Sequence, residues 1–538
     1  MPARALALAL CLGAVAAHAA PPAASAQRIR ADIGFLADDL LEGRAAGTRG
    51  YDLAARYVAA EFESLGLAPG GRDGSWYQPV ALIEGATVVA AGELLVERNG
   101  TATRLETGVD FLPQRDYSGP KTRVTAPAEF VGFGVHAPER GYDDFEGSDL
   151  KGRIAIVLSG APPTFDSESR AHYSATLTKM AELVRRGAVG VITVLTPLDE
   201  SRRPWPRWVQ GSWFPGMRWI GSDGQPVDAF PELKRGAIMG ATGAAKLFAG
   251  SGHALEDVFA RATAGTPQHF ALPGEVTLAG ETTLTPRSSA NVVGLLEGSD
   301  PKLRHEYVVM TAHLDHLGRG AEVNGDGIYN GALDNASGVA VMLEVARLLK
   351  AGAPPRRSVL FVALTAEERG LLGSDVFARQ PPVPREALVA DVNMDMPVAL
   401  GPVADWVAFG AEHSTLGPVA ARAARAEGYR LSPDPEPEEI VFVRSDQYMF
   451  VRQGVPSIYM SSGNRSRDPA IDLAQRADEF RRTHYHQPSD DTKLPIDYPS
   501  LAGLARVNLR IVREVANATA RPSWNPGDFF GERFAPRH

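Results

Sequence analysis

With 538 residues the chain has room for about two to three domains, and 44% hydrophobic residues can fill sizeable cores. Its 55 basic and 64 acidic side chains give a formal charge of -9, spread without a long basic block, which excludes nucleic acid as a partner held by phosphate neutralisation. The single cysteine, Cys11, lies in an N-terminal leader, so neither disulfides nor thiol catalysis enters the mature chain.

The leader MPARALALALCLGAVAAHAAPPAASAQ has an Arg4 start, an apolar stretch from Ala5 to Ala17 and small-residue sites after Ala19 or Ala26. That layout predicts a signal peptide over residues 1–26 and export to the periplasm or the extracellular space. Its apolar run is shorter than the roughly 20 residues needed to span a bilayer, and no later segment qualifies, so no membrane span is expected after signal removal. Next, RIRADIGFLADDLLEGRAAGTRGYDLAARYVAAEFESLGLAPGG alternates helical apolar spacing with glycine breaks and predicts two helices, in a segment 27–121 that begins the main domain. Between 122 and 284 short β-rich pieces (AEFVGFGV, RIAIVLSG, AVGVITVL) alternate with turns and one helix, TLTKMAELVRRG, as in a separate small domain. From Ser289 the pattern becomes strand, glycine-rich turn, helix: ANVVGLLEG, HEYVVMTAHLD, GVAVMLEVARLLKAG, RSVLFVALTAEE and LVADVNMDM. Near-continuous apolar strands between amphipathic helices predict an α/β fold over 285–520, with a mixed, mostly parallel central sheet flanked by helices. The tail 521–538, rich in proline, glycine and aromatics, carries no readable role.

Polar groups gather at the ends of these strands. In TAHLDHLG, His313 and Asp315 follow the apolar run of Tyr307 to Met310, at the carboxyl end where open α/β sheets bind ligands. By strand alternation the two share a face, so Asp315 can accept from one ring nitrogen of His313 while the other binds a metal; His316 has the opposite parity and reads as structural. In GALDNASGVAVMLEVARLL, Asp334 precedes a helix, where it can be a ligand or an N-cap, and the two roles are compatible. SVLFVALTAEERGLLGS runs from a strand into Glu367 and Glu368. Helix-start glutamates are ordinary, yet beside a metal one can be a ligand and the other a general base. EALVADVNMDM offers Asp391 and Asp395 on one face, and the strand's end favours Asp395. RRTHYHQPSDD adds His484 and His486 in a polar loop. Two histidines with three carboxylates suit zinc sharing a bridging carboxylate. Around these strands there is no G-x-S-x-G elbow, P-loop or G-x-G-x-x-G turn.

The stretches AHLDHLG, GALDNASGVAVMLEVAR, LTAEERGLLGS, NMDM, RSDQYMFVRQGVPSIYM and YHQPSDD occur in the order found in the di-zinc aminopeptidases of metallopeptidase family 28, which the chain resembles from about Ser289 to Ala518 and from Arg28 to about Ala81. That resemblance implies two zinc ions per chain. His313, Asp334, Glu368, Asp395 and His486 would be the ligands, with Asp334 bridging; Glu367 would be the general base, Asp315 the support of His313, and Tyr485 a hydrogen-bond donor to the tetrahedral intermediate. His486 is preferred to His484 by the family's H-x-x-x-D spacing to Asp490. The segment 122–284 resembles a protease-associated domain inserted into the peptidase domain, with an added loop holding Trp205, Trp208, Trp213 and Trp219, which packs as an ordinary loop, walls a substrate cleft or binds a partner.

The implied activity is hydrolysis of N-terminal peptide bonds of peptides or small proteins by a metal-bridging hydroxide, with Glu367 taking the proton. The relatives leave other readings open. A glutamate-releasing carboxypeptidase would need a basic clamp, for which Arg444 is the candidate. A glutaminyl cyclase would work with a single zinc, and a receptor-like binding protein would have a decayed site. Nothing in the sequence sets the oligomeric state.

Overall fold

The computed structural model describes residues 23–212 and 214–536; residues 1–22, with Cys11 and most of the expected signal peptide, and Trp213 lie outside the described residues. Two helices open the chain, α1 (Ala26–Leu36) and α2 (Arg49–Ser64). Each begins at a hydroxyl cap: Ser25 accepts the N–H of Arg28, and Thr48 that of Tyr51.

The chain then leaves the main body along β1 (Tyr77–Arg98), passes through a second module that carries α3 (Trp205–Gly211) and β2 (Gly216–Trp219), and returns along β3 (Glu275–Leu296). β1 and β3 pair antiparallel from Tyr77↔Val292 out to Glu97↔Glu275, with one irregularity between Ala279 and Glu281. The main body continues through β4 (Tyr307–His313), α4 (Ser337–Lys350), β5 (Ser358–Leu364), α5 (Leu372–Arg379), β6 (Leu388–Asn393), β7 (Asp405–Phe409), β8 (Arg430–Ser432), β9 (Ser457–Ser462), α6 (Leu473–Thr483) and α7 (Tyr498–Asn517). The central sheet runs β2-β1-β3-β5-β4-β6-β9-β7-β8. It is mixed, and its parallel part is confined to the middle, β5-β4-β6-β9, and to the β7/β8 edge. β3 meets β5 antiparallel and β9 meets β7 antiparallel.

The middle strands are apolar on both sides because both sides are covered. Val308, Met310, Ala312, Val359, Phe361 and Ala363 pack into a core shared with α1, α2, α4 and α7, whereas Val309, Leu360, Val362 and Leu364 pack the other way against Phe377, Phe450 and Phe530. Burying a side chain such as Phe361 contributes about 1.5–3 kcal/mol. Phe530, fully buried, comes from the C-terminal tail, and Trp524 of the same tail donates to the Gly454 carbonyl at 3.0 Å. The tail therefore seals one face of the sheet.

The second module has its own six-stranded sheet, in the order 269–271, 128–131, 154–158, 190–194, 236–239 and 111–113, and its own core. That core also takes in Leu94, Val96, Leu105 and Phe111, so the module draws on residues before the expected boundary at 122. Among the described residues no helix is long and apolar enough to cross a membrane.

Candidate metal centre

Three adjacent parallel strands release the site's side chains at one edge. β4 ends on His313; β5 is followed by Glu367 and Glu368, and β6 by Asp395. His313 Nε2 lies 3.0 Å from Asp395 Oδ1 and 3.2 Å from Asp334 Oδ1. The other oxygen of Asp334 lies 3.3 Å from His486 Nε2, which is also 3.1 Å from Glu368 Oε2. Asp334 thus stands between two groups of donors: His313 and Asp395 on one side, Glu368 and His486 on the other. Among the described residues no lysine or arginine comes within ion-pair distance of Asp334, Glu368 or Asp395, whose partners are all histidines. Carboxylates and imidazoles buried together with no lysine or arginine at ion-pair distance offer the donor chemistry of a divalent cation site, and their nitrogen and oxygen atoms suit zinc.

Local conformation explains each position. Gly331 holds φ +62°, and a Cβ there would lie 2.0 Å from the Asp334 carbonyl oxygen and 2.5 Å from the His316 ring, so only glycine lets the chain turn Asp334 inward. Asp334 does not cap α4; Asn335 accepts the N–H of Gly338 at 2.9 Å and takes over that task. The two glutamates sit in a separate turn, Glu367–Arg369, ahead of α5, rather than on a helix start. Ala366, Met396 and His486 have positive φ (55°, 42° and 56°), so strained backbone flanks or carries Glu367, Asp395 and His486.

Asp315 supports the site by a route other than the one expected. His313 Nδ1 donates to the backbone carbonyl of Asp315 at 3.1 Å, which leaves Nε2 to face Asp334 and Asp395. The Asp315 carboxylate turns instead to the glutamate turn and accepts the N–H of Glu367 at 3.0 Å and of Glu368 at 3.4 Å. His316 is the residue the sequence undervalued. Its Nδ1 lies 2.6 Å from Glu368 Oε1 and 3.9 Å from Asp334 Oδ2, so His316, Asp334 and Glu368 form a second potential ligand group beside the group His313, Asp334 and Asp395. Strand parity misdirects there because β4 ends at His313. No local pattern marks Arg44: fully buried, it donates to the carbonyls of Leu314 (2.9 Å), Asn330 (2.6 Å) and Gly331 (3.1 Å) and ties the His313 and Asp334 segments together.

Asp391 faces away, taking the Thr311 hydroxyl at 2.9 Å, and His484 pairs with Ser489 at 2.9 Å, outside the cluster. Tyr485 stacks on His486 with ring centroids 3.8 Å apart. Arg444 is half exposed and paired with Glu439 at 3.3 Å.

The electrostatics separate the two glutamates. Burial raises the Glu367 carboxyl well above the usual range; His313 opposes the rise, and Asp395, Glu368 and Asp446 add to it. For Glu368 burial works the same way, but His486 and His316 outweigh it and hold the carboxyl well below that range. Asp334 is likewise pulled down to about 2 despite its burial and the Glu368 charge, through His313, His316 and His486. Burial and the Asp334 charge push the Tyr485 phenol up, so it stays a donor.

Residues 291–512, which contain every one of these donors, match the model of peptidase family M28. The match covers less than half of the chain. Among similar proteins, mouse aminopeptidase NAALADL1 is 36% identical over 135 residues, 24% of this chain and 16% of that protein. Aminopeptidase YwaD of Bacillus subtilis is 39% identical over 90 residues, 17% of each. The chain therefore aligns with about a sixth of the length of these relatives. The solved aminopeptidase of Aneurinibacillus sp. strain AM-1 superposes with a TM-score of 0.53 over 93% of this chain and 95% of its own at 19% identity, a likeness of fold.

Proposed function

We propose that the chain is an exported zinc-dependent aminopeptidase hydrolysing N-terminal bonds of peptides or small proteins. The observation that carries this reading is Asp334 between His313 and His486, with Asp395 and Glu368 completing the two sides. His313, Asp334 and Asp395 would hold one zinc ion; Asp334, Glu368 and His486 the other. When bound, such a pair polarises a scissile carbonyl and lets water ionise near neutral pH. Glu367, whose carboxyl burial pushes up, takes the proton of the attacking water and returns it to the leaving amine. The Tyr485 phenol donates to the oxygen that gains charge. Asp315 positions the glutamate turn through its backbone N–H groups.

Direction and metal count follow the same reading. A carboxypeptidase needs a cation free to meet the substrate's carboxylate, and Glu439 already engages Arg444. Donors on both sides of Asp334 favour two ions over a single-zinc cyclase. The module between β1 and β3 is read as a protease-associated domain. Export rests on the layout of the leader; cleavage after Ala19 would keep Ser25, which caps α1 and whose backbone N–H donates to Glu344 at 2.6 Å, whereas cleavage after Ala26 would remove it.

A screen of aminoacyl-nitroanilides, dipeptides and carboxyl-blocked peptides on the zinc-loaded protein tests the reading. Release from the amino end is expected. Release only from a free carboxyl end, or cyclisation of N-terminal glutamine, overturns it.

A further inference from the structure

Helix α3 belongs to the second module, where Trp205 donates to the Gly108 carbonyl at 3.0 Å. Two of its other side chains, Arg207 and Gln210, reach outside the module. Arg207 donates from Nη1 to the Arg482 carbonyl at 3.2 Å and from Nη2 to the Tyr485 carbonyl at 3.1 Å. Both carbonyls lie where α6 gives way to the turn that carries His486 at φ 56°. One turn on, Gln210 donates to the Tyr329 hydroxyl at 3.3 Å; Tyr329 in turn donates to Ala321 and meets the Phe214 ring edge-on at 5.0 Å. Tyr329 precedes Asn330 and Gly331, the residues that turn Asp334 inward. One short helix of the second module thus reaches the His486 turn directly and the Asp334 segment through Tyr329.

The geometry points to Arg207 as a positioning residue, through which the second module fixes the His486 turn and with it the second metal position. A guanidinium suits this task because its planar fork serves two carbonyls at fixed separation, whereas a lysine ammonium offers a single point charge. A histidine held at positive φ persists only where its surroundings over-determine it, and the turn's own bonds, such as Tyr485 N–H to Phe480 at 2.9 Å, do not fix the Arg482 and Tyr485 carbonyls. The inference rests on the two-metal reading above and adds that the module outside the peptidase fold tunes one metal position and not the other.

The test compares the full-length wild type with Arg207→Ala, Arg207→Lys and Gln210→Ala, measuring hydrogen–deuterium exchange and calorimetric zinc uptake by the metal-stripped protein. In Arg207→Ala, exchange over residues 480–487 should accelerate about tenfold or more with or without metal. One zinc equivalent should weaken by about 10- to 100-fold while the other is unchanged, and kcat should fall with little change in KM. Arg207→Lys should recover part of each loss. If Arg207→Ala does not fold, Arg207→Lys carries the test, with faster exchange over 480–487 and a smaller single-site weakening, whereas Gln210→Ala, which reaches the Asp334 segment, should speed exchange over 328–334 and leave 480–487 as in wild type. Wild-type exchange and zinc uptake in the variants overturn the assignment. A wild type that takes up no zinc sinks the metal reading instead, and exchange over 480–487 then decides the clamp by itself.

Discussion

Asp490 accepts the backbone N–H of Asp334 at 3.0 Å, and that of Leu333 at 2.9 Å. This bond explains the H-x-x-x-D spacing: the loop that brings His486 to one oxygen of Asp334 also braces the backbone of Asp334. Asp490→Ala leaves two buried N–H groups without an acceptor, each costing about 1–3 kcal/mol. Urea unfolding of the metal-free protein should show a destabilisation in that range, and a variant as stable as wild type would refute the brace.

Glu367→Gln keeps the shape of the side chain and removes its basicity. Turnover should fall by about 10²- to 10⁴-fold, the usual contribution of a positioned base. Zinc content, read by elemental analysis, should match wild type. Wild-type turnover would remove Glu367 from the role.

The two histidines on Glu368 should separate by metal binding. His486 faces both Asp334 and Glu368, whereas His316 holds Glu368 through Nδ1 and keeps a buried Nε2 without a hydrogen-bond partner among the described residues. His486→Ala should lose one zinc equivalent. His316→Ala should keep both with affinity lowered by about 10- to 100-fold, the effect of losing a group that orients a ligand. The reverse pattern would make His316 the donor.

His172 lies buried in the second module against Tyr173 and the tail residues Phe529 and Phe534, with neither ring nitrogen hydrogen-bonded. Burial lowers its pKa to about 3, with Arg533 and Arg452 adding to the shift. The unfolded chain protonates this ring near pH 6.5 and the folded chain does not. Its contribution is therefore fully present above pH 6.5 and is lost as pH falls from there toward about 3, by up to about 1.4 kcal/mol per pH unit. Across that window His172→Phe should lose less stability than wild type in pH-dependent chemical denaturation. Parallel curves would contradict the assignment.

The strands that deliver the donors are legible because β4, β5 and β6 are near-continuous apolar runs, buried on both faces, that each lead into a polar group. What the sequence hides lies where the chain stops being regular. His316 follows the last residue of β4, so alternation no longer applies to it. Asp334 sits in an irregular turn, where its capping role passes to Asn335. Arg44 lies in the polar stretch LEGRAAGTRG and looks solvated, although the fold buries it against three loop carbonyls. β1 and β3 each run 22 residues, but their glycines and outer alternation break them into pieces when read locally. The contact of Arg207 with the His486 turn joins positions far apart in the chain, and no local pattern encodes it.

In the function proposed above, Asp334 joins two metal positions. Zinc content of the purified chain and of Asp334→Ala, measured after dialysis against trace zinc, tests it most directly. About two ions per chain are expected in wild type and at most one weakly held ion in the variant. Two firmly held ions in Asp334→Ala, or none in the wild type, would contradict it.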